Sequence, residues 1–142
     1  MQTFLPYADF EQTAEVLDYR RLGKQRVETW QILNALDGKT KGWVNHPASR
    51  MWRGFEVRLV SYGIVICKEW IRRGYNDTML PRFEDLKNSL TSQRHEEVDP
   101  AWLGRPDIHV SHQSNLVRKD PEFYGPLFPD VSPDLEYVWP VE

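Results

Sequence analysis

The sequence predicts an all-α fold, a compact bundle of about three to five helices closed by an extended tail rich in proline and aromatic residues. Three observations carry that prediction. Met51, Phe55, Leu59, Tyr62, Ile66 and Trp70 recur at helical spacings of four, four, three, four and four, which puts them on one apolar stripe. Leu22, Trp30 and Leu33 form a second stripe, with Val27 on its border. No stretch alternates apolar and polar residues as a half-buried strand does.

The elements follow in chain order. Asp9 is placed to cap a first helix through Phe10, Val16 and Leu17. The helical pattern restarts near Tyr19 and runs to about Leu36, where Asp37-Gly38 ends it. Residues 38–45 read as a loop. Asn45 and Pro47 open the next helix, since proline is well tolerated in a first turn, and Gly74 stops it after Arg72 and Arg73. Gly54 and Gly63 within it suit close packing of a neighbour. Asp77 to Leu90 reads as loop followed by a short helix, and Thr91 to Arg105 as irregular. Asp107 is placed to cap a helix through Lys119, which Pro121 ends. Pro121, Pro126, Pro129, Pro133 and Pro140, set among aromatics, make residues 120–142 a strap over the body rather than a helix or strand.

The 142 residues fit one domain, residues 1–142. Six Trp, six Tyr and six Phe argue against disorder. No apolar run approaches the roughly 20 residues of a membrane span, and the first residues lack the pattern of a signal peptide. Cys67, the single cysteine, excludes an internal disulfide and fits a reducing compartment. A cytoplasmic location is therefore expected, with Cys67 in the core.

The net charge of -3 hides an asymmetry. Residues 20–58 hold nine Lys and Arg against three acids, whereas residues 120–142 hold six acids and neither Lys nor Arg. A local cationic cluster in an acidic chain points to an anionic partner. Three constellations carry it. On the first long helix Arg20 and Lys24 are four apart, and Arg21, Lys24 and Glu28 step by three and four, so each set shares a face. Like charges at that spacing repel unless an anion lies between them. Glu28 is either a carboxylate for chemistry or the partner of Lys24. The second is Asn45 and His46 with Arg50 and Arg53, beside a helix start whose N–H groups favour anions. Trp52, between those arginines, either stacks on a base or joins the core. Glu56 is a second candidate carboxylate or a salt-bridge partner of Arg53. The third is residues 111–119, where His112, Asn115 and Lys119 share a face and Arg118 adds charge, a set suited to phosphates or base edges. His109 and His112 are too few to make a metal site, so no metal is expected. Phosphate-binding loops, dinucleotide fingerprints and nucleophile elbows are absent.

These stretches resemble the pyrimidine-dimer DNA glycosylase family, of the phage T4 endonuclease V type, as a divergent branch. The resemblance rests on a short N-terminal arm, Tyr19-Arg20 followed by Leu22, and Glu69-Trp70-Ile71-Arg72-Arg73-Gly74-Tyr75-Asn76. It continues at His109, Gln113, Leu116 and Lys119 and ends in a stretch rich in Tyr and Pro. It implies a compact, helical, monomeric DNA-repair enzyme. In that family the N-terminal α-amine attacks C1′ of a damaged nucleotide, forms a Schiff base and permits strand scission by β-elimination without a cofactor. Model α-amines titrate at roughly 7.7–8.0, so a fraction is neutral and nucleophilic near pH 7. A base inside a duplex must be extruded to be reached.

Two positions depart from the family pattern. Its carboxylate follows the Tyr-Arg pair, where this chain has Arg21, so the role is expected to pass to Glu28 or Glu56. Residue 2 is Gln2, too large for removal of the initiator, so Met1 is the expected nucleophile. Arg20, Arg21, Lys24, Arg50, Arg53, Arg118 and Lys119 are expected on phosphates, and Asn45, His46, His112 and Asn115 on base or sugar. The expected partner is double-stranded DNA with a damaged or modified base. The alternatives are a non-catalytic nucleic-acid-binding module on the same scaffold and an enzyme acting on a modified base or nucleotide.

Overall fold

The structure, a computed structural model, describes residues 1–141. Every regular element among them is helical: α1 (Phe10–Val16), α2 (Tyr19–Leu36), α3 (Pro47–Arg50), α4 (Glu56–Arg72), α5 (Leu80–Ser92), α6 (Pro106–Lys119) and α7 (Pro121–Tyr124). The all-α prediction holds, with two of the seven helices only four residues long. Among the described residues no helix is long and apolar enough to cross a membrane.

The apolar stripe of α4 makes it the central element, with α1, α2 and α5 packed against it. Leu59, Tyr62 and Ile66 are fully buried, as are Leu22 of α2 and Cys67. Gly63 lets α5 come close. A Cβ added there would lie 2.6 Å from Phe83 Cε1, so the Phe83 ring rests directly on the α4 backbone. Asp9 caps α1 by accepting from the Gln12 N–H at 3.0 Å. At the other end of α4, Arg73 grips Glu69 and donates to the Ala14 carbonyl at 2.9 Å, tying α4 to α1.

Four expectations are corrected. The single helix expected from Asn45 to Gly74 is broken, because α3 ends after one turn and Gly54 takes a left-handed φ of +90° before α4 begins. The Met51 carbonyl at the break accepts from Trp102 Nε1 at 3.0 Å. Trp52 is fully buried there and donates from Nε1 to Thr3 Oγ1 at 3.0 Å, so it belongs to the core and is closed to a base. Gly54 therefore serves a turn, not close packing. Second, α5 runs to Ser92, its start fixed by Asp77, whose Oδ2 accepts from the N–H groups of Met79 and Leu80. Third, α6 begins after Arg105, whose side chain makes no cap hydrogen bond, and Asp107 lies inside the first turn, paired with Arg105. Fourth, the strap opens with helix α7, which Asp120 caps by accepting from the Phe123 N–H at 3.2 Å.

Beyond α7 the chain runs along α6. Ser114 Oγ accepts from the Leu135 N–H and Ser111 Oγ from the Val138 N–H. Arg118 donates to the carbonyls of Pro133 and Leu135.

Gly63→Ala should destabilise the fold by about 1–3 kcal/mol through overpacking. Urea denaturation would read this as a lower midpoint with an unchanged slope.

Candidate functional site

Residues Gln2 to Pro6 are buried although they belong to no helix or sheet. Backbone groups taken out of water need partners, and side chains from three helices supply them. Gln25 of α2 accepts from the Phe4 N–H at 3.0 Å and donates to the Gln2 carbonyl at 2.9 Å. The Tyr62 hydroxyl of α4 lies 2.7 Å from the Phe4 carbonyl and 2.8 Å from Gln25 Oε1. From α6, His112 Nδ1 accepts from the Leu5 N–H at 2.9 Å, and Gln113 donates to the Pro6 carbonyl at 2.8 Å. His109 Nδ1 lies 2.8 Å from the Leu5 carbonyl, while its Nε2 accepts from the Gly104 N–H at 2.9 Å. That pattern assigns the Nδ1–H tautomer to His109 and the Nε2–H tautomer to His112. Burial, followed by the neighbouring His109, pushes His112 down to about 3, so it is neutral.

This threading carries Met1 to one end of α2. The Gln2 N–H, one residue from the α-amine, donates to Glu28 Oε2 at 3.2 Å. Met1 and Glu28 line a cleft of about 900 Å³ together with Arg20, Arg21, Lys24, Lys119, Asp18, Asp120, Tyr19, Phe123 and Tyr137. Four segments build it: the arm, the first three turns of α2, the junction of α6 and α7, and the strap. Lys24 is exposed, and Arg20 is exposed with Nε on the Tyr19 hydroxyl at 3.0 Å.

Arg21, at the position where the family pattern has a carboxylate, binds one instead. Its Nη1 lies 3.1 Å from Asp18 Oδ1. Burial works to raise the Asp18 carboxyl, but hydrogen bonds from Tyr124 and Arg21 outweigh it and hold the group below its ordinary value. Burial pushes the Tyr137 hydroxyl up to about 12. His46 caps α3 by accepting from the Ala48 N–H at Nδ1 and packs edge-on against Trp43 and Trp139. Its pKa is lowered first by burial and then by the α-ammonium charge of Met1, but His46 does not line the cleft.

The cleft thus gathers Met1, Arg20, Arg21, Lys24, Glu28 and Lys119. The other residues singled out from sequence lie elsewhere. His112 and Asn115 are buried, His112 holding the arm and Asn115 the strap through the Leu135 carbonyl, so neither faces a ligand. Arg118 is spent on the strap and on Asn115. Glu56 accepts from the Gly54 N–H at 3.1 Å and lines a separate cavity of about 330 Å³. Arg53 donates to the Val44 carbonyl, and neither it, Asn45 nor Arg50 lines the cleft. Asp18, Asp120, Phe123 and Tyr137 line the cleft and were missed, and Tyr19 was noted only as part of the family pattern. The spacing of Asp18 to Arg21, an i,i+3 pair, was the available signal for the first; nothing in the sequence pattern marks the others. Among the described residues no group of three His, Cys, Asp or Glu side chains gathers to hold a metal ion.

A model of the pyrimidine dimer DNA glycosylase family matches residues 1–82, the arm through the start of α5. No curated protein and no solved structure matches the chain.

The neutral His112 makes stability depend on pH. Below its unfolded pKa of about 6.5 the unfolded chain binds a proton that the folded chain refuses, so stability falls as pH drops. Between about pH 6 and 4 this group alone should remove about 1.4 kcal/mol per pH unit. His112→Gln should flatten that part of a denaturant-derived stability–pH profile, whatever its effect on stability at pH 7.

Proposed function

The chain belongs to the pyrimidine dimer DNA glycosylase family, and from that premise we propose that it binds damaged DNA in the cationic cleft and excises a base with the Met1 α-amine. The observation that supports this reading is the meeting of the chain terminus, a carboxylate and cations from α2 and α6 in one cleft. Arg20, Lys24 and Lys119 bind phosphates flanking the target nucleotide, and Arg21 keeps Asp18 in place beneath them. Such contacts position a duplex without reading its sequence.

The neutral amine attacks C1′ with its lone pair. The glycosidic bond breaks, and the base leaves with the bonding electrons and takes up a proton. The amine loses a proton as the sugar ring opens to an imine. Removal of a C2′ proton then breaks the C3′–O bond, and water hydrolyses the imine to free the enzyme. Glu28, fixed by the Gln2 N–H beside the amine, is the proton acceptor and stabilises the cationic imine.

A second reading has a specific observation in its favour. Arg21 occupies the position of the family's carboxylate and is itself tied to Asp18. On that reading the chain is a binding module without chemistry. Borohydride separates the two on a duplex with an abasic site. Covalent trapping that acetylation of the α-amine abolishes supports the enzyme; tight binding without an adduct supports the module.

Glu28→Gln should lower the trapping rate about 10²–10⁴-fold, the usual contribution of a positioned acid or base, with affinity nearly unchanged. Trapping at the wild-type rate would remove Glu28 from the chemistry. Arg20→Ala, Lys24→Ala and Lys119→Ala should each weaken binding to every duplex alike. Each should make the slope of log affinity against log salt shallower by about 0.9, the share of a single neutralised phosphate.

A further inference from the structure

Phe123 is an apolar ring at the rim of a cationic cleft, and it is 44% exposed. A single exposed phenylalanine is ordinary, but this one is presented rigidly. Pro121 sits at the start of α7, Asp120 caps it through the Phe123 N–H, and the Tyr124 N–H bonds the Asp120 carbonyl at 2.9 Å. The turn that follows is tight, since a Cβ on Gly125 would lie 2.5 Å from the Pro121 carbonyl oxygen. The Phe123 ring is braced edge-on against Tyr124, centroids 4.8 Å apart. Tyr124 is fully buried, and its hydroxyl accepts from the Asp18 N–H at 2.8 Å. The ring is therefore anchored to α2 from below while its outer surface faces the cleft. Lys119 precedes it by four residues and lines the same cleft.

We propose that Phe123 is a wedge that enters the base stack of a duplex and holds the gap left when the target nucleotide turns toward Met1. This rests on the DNA-binding reading above but not on the family match, which ends at residue 82. Chemistry at C1′ requires extrusion of the nucleotide, and extrusion breaks stacking on both sides of it. Apolar side chains inserted between base steps compensate that loss in proteins that kink DNA. A phosphate held by Lys119 would bring the neighbouring base step to the ring. Asp120, which would repel that phosphate, is turned to the Phe123 N–H as a cap. A protein partner would give the exposed ring an apolar pocket, but the cations around this cleft favour a polyanion.

The test uses the full chain and a duplex with a tetrahydrofuran abasic analogue beside 2-aminopurine, read by fluorescence and by affinity at several salt concentrations. The wild-type chain should bind with a steep salt dependence and raise the fluorescence as the probe unstacks. Phe123→Ala should keep the salt slope, lose the rise and bind about tenfold more weakly, the scale of one aromatic–base stack. Phe123→Leu should keep most of both, and a duplex already opened by a mismatched bulge should shrink the deficit of Phe123→Ala. An undiminished rise and affinity in Phe123→Ala would overturn the wedge while leaving the DNA reading intact. Absence of salt-dependent binding by the wild-type chain would overturn that reading, and the wedge with it.

Discussion

The buried N-terminal arm is the constraint on which the rest of the molecule depends. Five residues of irregular backbone run through the core, where each unsatisfied N–H or C=O costs about 1–3 kcal/mol. Gln25, Tyr62, His109, His112 and Gln113 come from three helices to satisfy them. The same bonds set where α2, α4 and α6 stand relative to one another. They also decide where the terminus emerges, because a chain held at Phe4 and Leu5 leaves Met1 little freedom. Helix α2 has two tasks as a result. Its inner face buries Leu22, Gln25 and Thr29 and takes the arm through Gln25, and its outer face brings Arg20, Lys24 and Glu28 to the cleft.

The cationic excess of residues 20–58 is smaller in effect than its count. Arg21 is matched by Asp18, Arg26 by Asp77, and Arg58 by Glu97 and Asp99. Arg26 also lies over the Trp70 ring, 4.5 Å from its centroid. The Arg26 and Arg58 pairs join α2 and α4 to distant segments, whereas the Arg21 pair is local to the start of α2. Arg20, Lys24 and Lys119 carry the positive potential of the cleft, with the arm's ammonium group beside them. The acidic strap does not cover those three. It lies along α6, fastened by Ser111, Ser114 and Arg118.

Periodicity made α2 and α4 legible, since each buries a face at helical spacing, while α6 was read from the residues that flank it, Asp107 and Pro121. The break between α3 and α4 was not legible, because Met51 and Phe55 keep the spacing of the stripe across it. What breaks the helix is tertiary: the Trp102 indole on the Met51 carbonyl and the left-handed Gly54. Helix α7 was hidden among the prolines of the tail, because Pro121 suits a first turn as well as an extended segment. Of the site, the cationic face of α2 and the carboxylate at Glu28 were readable from i,i+3 and i,i+4 spacing. The polar face of α6 was readable as a face, yet its direction was not. His109, His112 and Gln113 look like ligand-binding groups in sequence and are partners of the arm in space. An irregular segment buried in the core leaves no periodic signal, so its demand for polar side chains could not be anticipated.

Hydrogen exchange at the amides of Phe4 and Leu5 measures the threading most directly. If the arm is locked as described, both amides should exchange only through global unfolding, as slowly as the core of α4 around Leu59 and Tyr62. Exchange near the rate of an unstructured peptide, while α4 stays protected, would show the arm to be loose and the placement of the Met1 amine beside Glu28 to be without support.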